Sequence, residues 1–164
     1  MAASVWSSAL EMTDTDNRIN LRSYTDQIPF ARHLGFEIAK FEGGESELHY
    51  TAKPEHLNTF DVTHGGAVMT MLDIAMAAAA RSETPEIGVV TIEMKTTFMA
   101  PSVGPLIARG KLLHRTATMG FTEAKIYDAQ DRVCAHATGT FKYVKRRLPT
   151  GPASANEMRP PSTD

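Results

Sequence analysis

The chain has 164 residues, of which 42% are apolar and 22% charged, and its formal net charge is −2. This composition predicts one globular domain, since a single core accounts for about 100 to 200 residues. A charge so close to zero argues against nucleic acid or an acidic membrane surface as a partner. One cysteine, Cys134, cannot form an internal disulfide or a cysteine-rich metal site, so we expect a protein of the reducing cytoplasm.

Neither end of the chain has the pattern of a packed element. Residues 1–23 are polar and aperiodic, with no basic segment and no long apolar run, and their acids argue against a transit peptide. Residues 145–164 concentrate Pro, Ser, Thr and charge. We therefore expect two flexible tails around a domain at 24–144, and no export.

The domain begins with a short helix or turn in which Pro29 fits an early helical position. Two alternating segments, 34–42 and 45–53, predict strands joined at Gly43-Gly44. The apolar segment 64–81 predicts a long helix, and its core is shorter than the ~20 residues that cross a bilayer. Four more strands are predicted in GVVTIEMKTTF, PLIARGKLLHRTA, MGFTEAKIYDA and RVCAHATGTFKYV, the last two joined by a DAQD turn. In the first of these four, we expect Val90, Ile92, Met94 and Phe98 on one face.

This order predicts an α+β fold, with one long helix inserted after the second strand of an antiparallel sheet. A helix that is apolar on every side must be covered on most of them. We expect a curved sheet of five to six strands wrapped around it. The sheet's edge or the helix's remaining face is then left for a partner subunit.

Most catalytic signatures are absent from the sequence. There is no G-x-S-x-G, no phosphate-binding or dinucleotide-binding glycine motif and no H-E-x-x-H. The six histidines lack short metal-ligand spacings, so we expect no metal site. Cys134 lies in a strand pattern, where a buried structural thiol is the favoured interpretation.

The start of the long helix offers one candidate site. Gly65 and Gly66 let another group approach closely and leave unpaired N–H donors at the positive end of the helix dipole. Such a place can hold an anion or a developing oxyanion. Local sequence alone slightly favours a plain helix start capped by Thr63 or Asp61.

The middle of the helix carries a lone carboxylate, Asp73, among apolar neighbours. Burying it is costly unless it is paired or used in chemistry. A structural alternative places it at an exposed edge or in an ion pair with Arg81 or Arg115. Local sequence does not separate these interpretations.

Spacing limits how Gly65 and Asp73 could act together. Eight helical residues separate them, which corresponds to about 12 Å of rise and about 80° of rotation. One chain cannot bring both groups to the same reacting atom. Two antiparallel helices related by a two-fold axis can, so joint action predicts a site shared by a dimer.

The motif N-x5-H-G-G-x6-D, here Asn58, His64, Gly65, Gly66 and Asp73, with VVTIEMKTTFMAP after it and AHATGTFKYV at the close, resembles the hotdog-fold acyl-CoA thioesterases of the phenylacetate-pathway (PaaI-like) type. The resemblance covers roughly 28–144. It implies a helix wrapped by an antiparallel sheet, dimers with a continuous sheet, and commonly tetramers. It also implies thioester hydrolysis without a cofactor, coenzyme A being part of the substrate.

The resemblance also implies roles for individual residues. The backbone N–H of Gly65 would polarise the thioester carbonyl, with help from Asn58. Asp73 of the opposite subunit would be the general base or the nucleophile, and Thr91 would help to orient water. For His64, bracing the loop is the favoured role over acid–base chemistry.

Substrate contacts are predicted more broadly. Gly66 lies beside the carbonyl site, and three methionines are candidates for an adaptable acyl pocket, Met69, Met94 and Met99. The coenzyme A phosphates require cations, for which Arg115 and Arg147 are candidates. We expect an aromatic or medium-length acyl group.

Two other functions remain open on sequence grounds. One is a non-catalytic module that binds or senses acyl-CoA. The other is a hotdog hydratase, which is disfavoured because Asp61 and His64 have the wrong spacing for the acid and histidine of that reaction.

Overall fold

A computed structural model describes residues 27–145 of the chain. Helices and strands follow the predicted order, with one additional short 3-10 helix. The elements are α1 (Pro29–Leu34), β1 (Glu37–Glu42), β2 (Glu45–Thr51), the 3-10 helix (Pro54–His56), α2 (Gly65–Arg81), β3 (Gly88–Phe98), β4 (Pro105–Arg115), β5 (Met119–Tyr127) and β6 (Val133–Val144).

The six strands form one sheet in the order β1-β2-β4-β5-β6-β3, and every neighbouring pair is antiparallel. Helix α2 packs against all six strands, and its buried residues form the centre of the core. The predicted fold class is therefore confirmed: a curved antiparallel sheet surrounds one long helix. β1 and β3 are the two edges of this sheet.

The predicted turns are also found. Pro29 begins α1, and Gly35 ends it in a left-handed conformation (φ 81°), so the first strand starts later than predicted. Gly43 and Gly44 join β1 to β2 with positive φ angles of 58° and 76°. In the DAQD turn, Asp128 Oδ1 accepts the backbone N–H groups of Gln130 and Arg132.

Helix α2 lies in close contact with the sheet at Gly110. A Cβ on this residue would lie 2.4 Å from the carbonyl oxygen of Ala75 and 2.5 Å from Ser46 Oγ. Ser46 itself donates to that carbonyl at 2.7 Å. Glycine is therefore required here for the helix to sit at its observed distance from β2 and β4.

Strand β3 corrects one sequence prediction. Its register against β6 shifts between Thr91 and Glu93, so Ile92 is an extra, bulged residue. Val90 lies before the bulge on the outer face of the sheet, whereas Met94 and Phe98 pair with inner-face residues after it. The expectation that these side chains share one face is wrong, because a bulge reverses the alternation of faces along a strand.

No helix within 27–145 is both long enough and apolar enough to cross a bilayer. The predicted N-terminal tail lies outside the described residues, and so does the predicted C-terminal tail apart from Lys145.

Candidate active site

A short hairpin precedes α2 and holds Asn58. Leu57 and Thr63 form an antiparallel bridge, and Asn58 N–H donates to the Val62 carbonyl at 2.9 Å. Asn58 Oδ1 accepts the backbone N–H of Phe60 at 2.9 Å and that of Val62 at 3.4 Å. Because both partners are N–H donors, the orientation of the amide is fixed, and its NH₂ group remains available as a donor.

Three successive backbone N–H groups lie at the start of α2. His64 N–H donates to the carbonyl of His56 at 2.8 Å, and Gly66 N–H donates to His64 Nδ1 at 2.9 Å. The N–H of Gly65, between them, has no hydrogen-bond partner among residues 27–145. The helix start therefore presents one open donor whose neighbours on both sides are fixed.

The N-cap of α2 is His64, and its ring accepts from Gly66. The expectation of a Thr63 or Asp61 cap is wrong. Thr63 is buried and its N–H donates to the Ser102 carbonyl at 3.0 Å, while Asp61 occupies the hairpin turn with φ 57°. Since His64 Nδ1 is an acceptor, the neutral ring carries its proton on Nε2.

Asp73 is half-buried, and its Oδ1 accepts the Thr91 hydroxyl at 2.8 Å. Burial raises the pKa of the Asp73 carboxyl above its usual value, and the Thr91 hydrogen bond offsets part of that rise. The helix thus supplies the acid and the edge strand β3 supplies the hydroxyl.

Both arginines considered as ion-pair partners of Asp73 lie at the C-terminal end of α2. Arg81 donates to the carbonyls of Pro85 and Ile87. The Arg115 guanidinium lies 3.9 Å from a Glu83 oxygen and 4.6 Å from the centre of the Tyr143 ring. These contacts hold both side chains where they stabilise the helix end.

Comparison with known proteins places the chain in a family. The Thioesterase superfamily matches residues 60–135. A protein of Archaeoglobus fulgidus named "Putative esterase" is 30% identical in an alignment of 121 positions that covers 71% of this chain and 75% of that protein. The chain belongs to the thioesterase superfamily. Its predicted reaction class, thioester hydrolysis, is thereby confirmed.

Two solved structures have the same fold. A thioesterase from Haemophilus influenzae aligns with a TM-score of 0.71 at 17% identity, covering 78% of this chain and 92% of that one. The PaaI protein of the E. coli phenylacetic acid degradation operon aligns with a TM-score of 0.66 at 22% identity, covering 76% and 96%. The predicted resemblance to hotdog proteins of the PaaI type is confirmed.

The predicted site residues form two groups within one chain of this superfamily member. Asn58, His64, Gly65 and Gly66 surround the start of α2, whereas Asp73 and Thr91 meet about 12 Å further along the helix. The structure does not bring the two groups together within one subunit. Arg147 lies outside the described residues.

The three methionines predicted for an acyl pocket differ in exposure. Met69 and Met99 are exposed, and Met94 is half-buried on the inner face. Sequence reasoning missed Phe98 as a neighbour of the site: its ring lies 3.5 Å from the place of a Cβ on Gly65. No local signal could have revealed this contact, since it depends on how β3 crosses the helix start.

Proposed function

We propose that the chain hydrolyses acyl-CoA thioesters at sites that two subunits build together. The observation that carries this proposal is the open N–H of Gly65 between two paired amides at the N-terminus of α2. A donor held in this way, at the positive end of a helix, is organised before any substrate arrives. It suits a carbonyl oxygen that becomes negative during reaction.

The second subunit is needed because Gly65 and Asp73 lie about 12 Å apart on one helix. Strand β3 offers the surface for it, since it is an 11-residue edge strand with Val90, Ile92 and Phe98 about half exposed. An apolar edge of that length favours pairing with another strand. Pairing two β3 strands about a two-fold axis continues the sheet and sets each Asp73 beside the partner subunit's helix start.

Hydrolysis of the thioester then proceeds by attack of water on the carbonyl carbon and departure of the thiol. The thioester oxygen accepts from Gly65 N–H and from the Asn58 amide, and one such donor is typically worth about 2.7–4 kcal/mol in the transition state. Asp73 takes a proton from water as the water oxygen attacks the carbonyl carbon, with Thr91 helping to orient it. The carbon–sulfur bond breaks, and the departing thiolate takes the proton from Asp73. Direct attack by the carboxylate, through a transient anhydride, gives the same acid and thiol.

His64 braces this site. Its ring is committed to Gly66 N–H, which supports a structural role over acid–base chemistry. We accordingly assign Gly66 to the substrate-facing first turn of α2, where its N–H is already bonded to His64. The raised pKa of Asp73 makes its carboxylate a stronger base at neutral pH than an exposed aspartate.

We assign the acyl group to the apolar surface beside the helix start. Met69, Met94 and Met99 supply adaptable contacts, and the Phe98 ring supports an aromatic or medium-length acyl chain. Arg115 is a weaker candidate for the coenzyme A phosphates, because it already contacts Glu83 and Tyr143. Arg147 remains a candidate. The assembly is a homodimer or a tetramer made of two such dimers.

Release of free thiol from a panel of acyl-CoAs tests the reaction. The panel contains phenylacetyl, hydroxybenzoyl and straight-chain esters from short to long, with the enzyme alone as the correction for Cys134. Turnover of an aromatic or medium-length ester is the expected result. Binding of these esters without turnover would instead indicate a non-catalytic acyl-CoA module.

Mixed dimers test the shared site. We expect Asp73→Asn and Asn58→Ala chains to be nearly inactive alone. Equal mixing makes half of the dimers mixed, and each of these has one intact site, so about a quarter of the wild-type activity should return. A mixture no more active than its separate components would contradict a site built from two subunits.

A further inference from the structure

Beneath the hairpin that precedes α2 lies a buried pair of polar side chains. Tyr50 is 4% exposed and His56 7% exposed, and the Tyr50 hydroxyl lies 2.9 Å from His56 Nδ1. The backbone N–H of Lys53 reaches the same nitrogen at 3.3 Å. The pair lies outside the reacting groups, and no step of thioester hydrolysis uses it.

The direction of these hydrogen bonds follows from the donors available. A backbone N–H can only donate, so His56 Nδ1 is an acceptor, and the Tyr50 O–H must donate to it as well. The neutral His56 ring therefore carries its proton on Nε2. One nitrogen with two fixed donors holds the ring in a single orientation.

The backbone of His56 continues this connection to the helix start. Its carbonyl accepts His64 N–H at 2.8 Å, and Gly65 is the next residue. At the other end, Tyr50 is anchored in the core, since its ring meets the Phe36 ring edge to face at 4.8 Å between centroids. A continuous set of contacts thus runs from the core through Tyr50 and His56 to the amide beside Gly65.

We propose that Tyr50 and His56 are positioning residues that fix the direction of the Gly65 N–H. This inference rests on the proposed function of Gly65 as the oxyanion donor. Neither side chain touches substrate. Loosening the pair lets the peptide before Gly65 rotate. Misdirection of the Gly65 N–H then weakens stabilisation of the transition state more than it weakens substrate binding.

The first variant is Tyr50→Phe, which keeps the packing against Phe36 and removes only the hydroxyl. We expect kcat to fall about tenfold with KM within about twofold, because a donor used mainly in the transition state loses its alignment. Amide hydrogen exchange, followed by NMR in the absence of substrate, should become faster at His64 and Gly66 than in the wild type.

Substitution of His56 supplies a rescue. His56→Asn places Oδ1 near the position of Nδ1 and keeps an acceptor for both donors, whereas His56→Leu leaves the Tyr50 hydroxyl and the Lys53 amide without one. We expect His56→Asn to retain most of the wild-type kcat and His56→Leu to lose at least as much as Tyr50→Phe. The matched control is Thr122→Val, which removes a buried hydroxyl that donates to the Gly139 carbonyl at 3.1 Å in the sheet.

Wild-type kcat in Tyr50→Phe overturns the inference, and so does an equal loss of kcat in Thr122→Val, since that would mark a general effect of stability. Absence of turnover in the wild type on every ester would overturn the proposed function. The exchange measurement separates the two failures: unchanged exchange at His64 in Tyr50→Phe overturns the positioning role whether or not the chain is active.

Discussion

The two edges of the sheet differ in length and in the apolar side-chain surface that they expose, although both also expose charged residues, Glu93 and Lys95 in β3. β1 has six residues, and its exposed positions include Glu37 and Glu42. β3 has 11 residues and exposes Val90, Ile92 and Phe98, at 46%, 54% and 53% of their surface. Short charged edges resist pairing, whereas long apolar edges favour it.

Even the bulges at the two edges differ. β1 has a register shift at Ala39, a small residue, and β3 has one at Ile92. The carboxylate of Asp73 lies beside β3, held by Thr91 of that strand. The same edge therefore carries both the proposed surface for assembly and one half of the proposed reacting groups, so we expect substitutions at this edge to affect assembly and activity together.

The largest expected effect comes from the acid beside β3. Asp73→Asn should lower kcat by about 100-fold or more, since a positioned general base typically contributes 10²–10⁴-fold. The matched change on the other edge, Glu37→Gln, should leave kcat unchanged. Thiol release at saturating substrate measures both, and undiminished turnover in Asp73→Asn would exclude the proposed role of this carboxylate.

The next largest effect, on assembly and activity, is expected from substitutions at the two bulges. Ile92→Lys places a charge on the apolar edge and, across a two-fold axis, close to its own copy. We expect dissociation to monomers and a loss of activity of about tenfold at dilute enzyme. Ala39→Lys should change neither quantity. Light scattering after size exclusion, with activity measured on the same fractions, tests this, and an active Ile92→Lys monomer would refute the shared site.

A smaller effect concerns how β3 adjusts the acid. Thr91→Val removes the hydrogen bond that lowers the pKa of Asp73, so that pKa should rise further. Because the carboxylate is the form that we propose acts as the base, activity should be lost as the pH falls through this pKa. The acid limb of the kcat/KM profile should therefore move to higher pH, with kcat reduced about threefold above it.

The control for this measurement lies on the same strand. Thr97→Val changes an exposed threonine that pairs with His136 on the outer face. It should leave the pH profile where it is. An acid limb that stays in place in Thr91→Val, or that moves equally in Thr97→Val, would show that this hydroxyl does not adjust Asp73.

The smallest effect is on stability. A raised pKa in the folded state means that ionised Asp73 opposes folding at neutral pH, and this cost disappears as the pH falls toward the unfolded value of about 3.9. Asp73→Asn should raise the Tm at pH 7.5 by on the order of 2 °C, and by less at pH 5. Scanning calorimetry at both pH values measures the difference.

Near the other edge, at Glu45, the pKa of the carboxyl is lowered rather than raised. The Lys40 ammonium, bonded to Glu45, lowers the pKa of that exposed carboxyl. Glu45→Gln should therefore not raise the Tm at either pH. A higher Tm in both variants would point to relief of net charge rather than to burial of Asp73.

The sequence predicts those parts of the fold that depend on short-range patterns. The pair Gly43-Gly44 predicts a turn with positive φ angles from two adjacent residues alone. The apolar residues after His64 predict, without further information, a helix that is covered on most sides. The bounds of β3 also follow from its alternation and its flanking breakers. What alternation does not predict is the bulge at Ile92, because one inserted residue reverses every face after it without changing the local composition.

The site divides in the same way. The motif marks Asn58, His64, Gly65 and Asp73, but the cap at His64 depends on a ring nitrogen reaching an amide two residues ahead, which local statistics rank below Thr63. The sequence predicts Thr91 as a strand residue, but its hydrogen bond to Asp73 depends on how β3 packs over the helix. The Tyr50–His56 pair has no short-range signal, since its contact depends on how the 3-10 helix that contains His56 folds back beside the end of β2.

No side chain fits at Gly110, because even a Cβ atom there would collide with the carbonyl oxygen of Ala75 in α2. Ala75 lies two residues from Asp73 on α2. A side chain at position 110 would push this part of the helix away from the sheet and would therefore change the position of the Asp73 carboxylate relative to β3. In a survey of all substitutions ranked by activity, Gly110 should be as intolerant as the reacting residues, although it contacts no substrate. Positions that tolerate no substitution in this fold therefore include residues that set the distance between helix and sheet, as well as residues proposed to react.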